Sequence, residues 1–132
     1  MTFPSGWRGE WRIEAPLRKL FVGWTGGDSH VPDAPTTRID DASAASMPLD
    51  ETGPFTQLDG GSLGTRERTS WVSMAGGLES GVWECDAGRF RADFGAYDEL
   101  MQVVTGEVAC TPDDGSTPFT LQPGDAAIFP RG

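Results

Sequence analysis

Few side chains in this chain can do chemistry. It carries one histidine, His30, and two cysteines, Cys85 and Cys110, so a metal held by three imidazoles cannot be assembled from one copy. His30 falls in a Pro-, Asp- and Ala-rich stretch where a solvated imidazole is expected. No histidine near Cys85 in sequence is placed to activate its sulfur. Both thiols are therefore expected to be free and unreactive, and two thiols without a dense framework suit a reducing compartment. Asp113-Asp114-Gly115 opens like a calcium loop but lacks the remaining oxygen ligands, and reads as a turn. The glycine-rich stretches 60–64 and 76–81 lack the Lys-Ser/Thr that completes a phosphate loop. Carboxylates and guanidinium groups among aromatic rings remain as the means of binding or proton transfer.

The elements that must position them are short and turn-bounded. The chain has 132 residues, with 18 Gly and 10 Pro, more than a helical bundle tolerates. Chain length alone fits one domain that buries roughly two-thirds of its unfolded surface without staples. Trp7, Trp11 and Ile13 alternate with Arg8, Arg12 and Glu14 as in a half-buried strand, which Pro16 is expected to break before Leu17–Val22 resumes. Residues 25–54 hold six acidic side chains against Arg38 and few large apolar ones, and read as a linker lying on the surface. From Phe55 onward apolar runs alternate with glycine turns, the spacing of a sandwich or small barrel. The clearest hairpin is expected between Leu100–Val104 and Glu107–Cys110, through Thr105-Gly106. Ala42–Ser46 offers at most one helical turn. The formal net charge of -10 repels phosphate backbones and anionic headgroups, and no run approaches 18 apolar residues. Nucleic acid and membrane are not expected as partners, and a cytoplasmic location is.

Gly81-Val82-Trp83-Glu84-Cys85-Asp86-Ala87-Gly88-Arg89-Phe90-Arg91, leading to Asp98-Glu99-Leu100 and Val103-Val104-Thr105-Gly106-Glu107, resembles the first signature of the cupin superfamily. Leu121-Gln122-Pro123-Gly124-Asp125-Ala126-Ala127-Ile128-Phe129-Pro130 resembles the first half of the second signature. Its other half resembles Phe3-Pro4-Ser5-Gly6-Trp7-Arg8-Gly9-Glu10-Trp11, and Arg18–Val22 looks like the closing strand. Within the superfamily the chain is most similar to small single-domain cupins related to ureidoglycine aminohydrolase-like domains. The resemblance implies an all-β, cupin-like double-stranded β-helix (jelly-roll barrel) over residues 1–132, circularly permuted. Residues 1–24 would then supply strands that normally close the C-terminal end, 25–54 the linker and surface segment, and 55–132 the main barrel strands. Pro130-Arg131-Gly132 repeats Phe3-Pro4-Ser5-Gly6, so the two termini are expected to be neighbours. A piece of a two-cupin chain, pairing as a swapped dimer, is the other account.

The resemblance also assigns ligand positions. The carboxylate position is Glu99. The imidazole positions fall on Ala92 and Phe94, or on Asp93 and Gly95 with a shorter gap, and on Gly9 in the second signature. None is histidine, so neither a metal nor another cofactor is expected. Glu99 is the candidate catalytic residue, a carboxylate that desolvation would make more basic. Its alternative role is a salt bridge to Arg89 or Arg91 in a network with Asp98. Glu84 is open to either an inward or an outward placement. The expected ligand pocket comprises Trp7, Trp11, Trp83, Arg89, Arg91, Phe94, Glu99 and Met101, with Phe90 beside them; such aromatics equally serve as plain core. Three readings of function follow. The first is a barrel that binds a small polar metabolite without an assignable reaction. The second is a small-cupin enzyme acting on a ureido or carboxylate compound. The third is a rearranged scaffold without activity. A homodimer is expected.

Overall fold

Alternation carries the N-terminal segment through Pro16 without interruption. One strand, β1 (Arg8–Trp24), replaces the two expected from the sequence. Trp11, Ile13, Leu17, Lys19 and Phe21 are buried along its inner side, and Trp7, just ahead of it, is buried too. Pro16 has no N–H to give a ladder, and it sits where the register against β8 (Asp98–Pro112) shifts, between Ile13 and Lys19. The computed structural model describes residues 1–25, 40–72 and 77–132, so His30 lies outside the described residues.

The hairpin expected at Thr105-Gly106 is not formed, because β8 runs straight through these residues. Buried positions on β8 are odd-numbered up to Val103 and even-numbered from Val108. That change of parity is the mark of an extra residue bulged into the ladder. Gly106 provides it with φ of 84°, and a Cβ there would collide with the carbonyl of Pro16. The turn-like dipeptide thus bends a strand instead of reversing it, and the two bends lie face to face.

Because both long strands bend together, each belongs to two layers. In the first layer the order is β10 (Ala126–Phe129), β8, β1, β6 (Leu78–Cys85), β5 (Thr65–Val72) and β2 (Asp50–Glu51). In the second, β7 (Gly88–Asp93) pairs the first half of β1, and β9 (Phe119–Leu121) pairs the second half of β8. All these pairings are antiparallel. Rings from both layers close the space between them: Phe129 lies 4.3 Å from Phe94 and 5.9 Å from Trp11, centroid to centroid. A small hairpin, β3 (Phe55–Thr56) with β4 (Ser62–Leu63), covers one mouth and leans Phe55 on Trp83 and Phe90.

The described part of the segment read as linker is structured. Asp40 caps α1 (Asp41–Ser46) through a reciprocal bond pair with Ser43, and β2 adds an edge strand to β5. Arg18, on the outer side of β1, donates to the carbonyls of Ala44, Ala45 and Met47 at 2.9–3.0 Å and to Glu84 at 2.8 Å. A guanidinium is well suited to satisfy the open carbonyls at a helix end. Glu84 accordingly faces outward, into this cluster. The chain ends meet as expected. Thr2 bridges Ile128 in parallel, Gly6 N–H donates to Pro130 at 2.7 Å, and Phe3 stacks on Phe129 at 4.6 Å.

Candidate functional site

Between the layers lies a cavity of about 550 Å³, within the range of small-ligand sites. Its floor is the inner face of the first layer. Register places Glu99 and Glu79 on either side of Gly23 across three adjacent strands, and Trp83 beside Lys19 two inward-facing positions deeper, past Phe21. Gly23 has no side chain and a Cβ there would touch only the Asp98 carbonyl, at 3.8 Å, so the space above it is open. Trp11, Phe90 and Phe94 form the opposite wall, and Phe55, Tyr97 and Trp24 stand nearer the mouth.

Lys19 is the residue that sequence reasoning missed. It shares parity with Leu17 and Phe21, which points it inward, while Arg18 points out. Both Lys19 and Glu99 are 6% exposed, and the Lys19 ammonium donates to Glu99 Oε1. The same ammonium lies 5.3 Å from the Trp11 ring centroid and 5.0 Å from that of Trp83. Indole faces at this range attract a cation by about 1–2 kcal/mol when water is excluded. The Lys19 side chain is thus engaged by one carboxylate and two indole rings at the edge of the cavity.

The other expected site residues are divided by the structure. Trp11, Trp83, Phe90, Phe94 and Glu99 line the cavity, and Arg91 reaches its rim. Trp7 and Met101 are buried outside it: Trp7 packs among Phe3, Phe94, Phe119 and Phe129. Arg89 points outward, as its parity opposite Phe90 requires, and pairs with Glu10 at 2.7 Å. The expected bridge from Glu99 to Arg89 or Arg91 is therefore replaced. Lys19 takes Glu99, Arg91 pairs with Asp113, and Asp98 pairs with Arg131 at 3.4 Å. Asp93 accepts from the Gly95 backbone and from Arg8, which lower its pKa. The Tyr97 hydroxyl is pushed up, first by burial and then by the carboxylates of Glu99, Asp93 and Glu79. Burial drives both thiols up to about 12, so neither is poised to react at neutral pH.

The positions aligned with metal ligands do not fit a resident ion. Ala92 and Phe94 bring no donor into the cavity, Gly9 is packed against the Trp7 ring, and Glu99 is held by an ammonium. Among the described residues no three His, Cys, Asp or Glu side chains are grouped to hold a metal.

Residues 72–132 match the EutQ-like cupin domain family. The match supports the cupin superfamily, and the antiparallel architecture is that of an all-β, cupin-like barrel. It includes Glu99 but stops short of Lys19, which β1 brings in from outside the matched span. No curated protein and no solved structure matches the chain. Among the described residues no helix is long and apolar enough to cross a membrane.

Proposed function

We propose that the protein is a small-molecule-binding cupin-like barrel whose ligand sits above Gly23, between the aromatic wall and the Lys19–Glu99 pair. The observation that carries this reading is a buried ion pair kept at the edge of an open, ring-lined cavity. A barrel filled only for stability would gain by packing that space with apolar side chains. Glu99 as a general base is the weaker reading, because Oε1 is engaged by Lys19 and only Oε2 is left to accept a proton. The permuted chain order belongs to the same proposal. The repeated segments at the two ends lie side by side and run in parallel, so one of them occupies the place where an unpermuted chain would pass directly from Gly132 to Trp7.

The test is a blocked cavity. Gly23→Leu fills the floor without a backbone penalty, since Gly23 is absent from the positive-φ positions and meets little at Cβ. A thermal-shift screen of small metabolites should find compounds that raise the Tm of the parent and leave Gly23→Leu unmoved. Hits that stabilise both proteins equally would place the ligand elsewhere and end this proposal.

A further inference from the structure

Resting on the cavity as the ligand site, we infer that its ligand is an organic cation: an amine or quaternary ammonium compound with an apolar or aromatic body. The argument is a charge balance over the lining. Lys19 is matched by Glu99, Arg91 by Asp113 and Asp93 by Arg8. Glu67 and Glu79 also line the cavity, and among the described residues neither has a cationic partner. Among the described residues two carboxylates of the lining are thus left without a counter-charge, while no cation is left over for an anion.

The geometry agrees. Glu79 and Glu99 flank the side-chain-free position Gly23 in register, so a cation seated there meets a carboxylate on each side. The rings of Trp83, Phe55 and Tyr97 stand around this space and offer faces to a cation. Lys19 is an internal precedent: one alkylammonium is already held in this barrel by two indoles and a carboxylate. Burial, and after it the carboxylates of Glu99, Asp93 and Glu79, raise the Tyr97 pKa, in keeping with the negative charge at the mouth. A free carboxylate or phosphate ligand would have to enter against that field.

Three probes of one shape and different charge decide the matter: benzylamine, benzyl alcohol and benzoate, each titrated into the full chain at pH 7 and followed by tryptophan fluorescence and calorimetry. Benzylamine should bind about tenfold tighter than benzyl alcohol, the sum of a ring contact and partly exposed charges, and benzoate more weakly than either. Glu67→Gln and Glu79→Gln should each weaken benzylamine about threefold and leave benzyl alcohol unchanged. Equal or tighter binding of benzyl alcohol or benzoate would overturn the cation assignment while leaving the ligand site intact. Failure of all three to bind would overturn the ligand site itself.

Discussion

Replacing Lys19 by Met removes the ammonium but keeps most of the side-chain volume, and leaves Glu99 buried at 6% exposure with no counter-charge. At an effective dielectric of about 20, opposite charges about 4 Å apart attract by about 4 kcal/mol. Breaking one partner of a buried pair costs about 3–5 kcal/mol. The adjoining cavity lets water reach the stranded carboxylate, so the lower end applies, about 3 kcal/mol. Glu99→Met should cost less, about 2 kcal/mol, because Lys19 keeps the faces of Trp11 and Trp83. The double variant Lys19→Met, Glu99→Met buries no unmatched charge and should return to within about 1 kcal/mol of the parent. The coupling is then about 4 kcal/mol, far above that of an exposed pair. Urea unfolding followed by tryptophan fluorescence gives all four stabilities, provided m is constant across the set. For a domain of this size the Lys19→Met loss corresponds to about 10 °C in Tm. A cost below about 1 kcal/mol for Lys19→Met, with coupling near zero, would mean that solvent screens the pair, and the description of the cavity floor would be wrong.

Three other outcomes are expected. Gly106→Ala should destabilise by at least about 3 kcal/mol in denaturant titration, because the new Cβ needs a left-handed backbone and meets the Pro16 carbonyl; a loss under about 1 kcal/mol would show that the two bends are not in contact. Cys85 and Cys110 should resist a thiol reagent at pH 8 in the native state and react fully once unfolded. Their folded pKa values, up to about 12, exceed the unfolded one, so their contribution to stability is whole below about pH 8.5 and falls as pH rises toward 12; native labelling at pH 8 would refute their burial. Finally, a chain that starts at Asp40, passes from Gly132 directly into Trp7 and ends at Thr25 should fold with one cooperative transition by circular dichroism, at a Tm lowered by the loss of the Phe3 ring from its stack on Phe119 and Phe129. Loss of the cooperative transition would refute the permuted reading.

Much of the architecture can be read from local chemistry. Glycine and proline mark the turns at Gly60-Gly61, Asp114-Gly115 and Pro123-Gly124, where backbone φ is positive and side chains other than glycine are strained. Alternation assigns inner and outer faces on β1 and β7, and applied to Lys19 and Arg89 it would have placed one inside and the other outside. The habit of treating long cations as surface residues hid that. Thr105-Gly106 misled for a different reason. A left-handed glycine serves a hairpin or a bulge equally well, and the choice is made by Pro16, which is remote in sequence. Nor can alternation say which inward rings line a cavity. Trp7 and Met101 face inward like Trp11, but Phe3, Phe119 and Phe129 close the space around Trp7. The docking of α1 depends on one guanidinium reaching three carbonyls, a long-range contact that composition does not report.

The shared strand also governs how the molecule can be made. β1 leaves the ribosome before its partner strands, yet Gly9 must wait for Pro112 and Trp24 for Asp98 before their ladders close. Until then its row of tryptophans has no cover, and neither layer can be completed ahead of the other. Slow assembly with a late, all-or-none closure is the expected kinetic signature of such non-local pairing. The nascent β1 segment is where a chaperone would have most to protect.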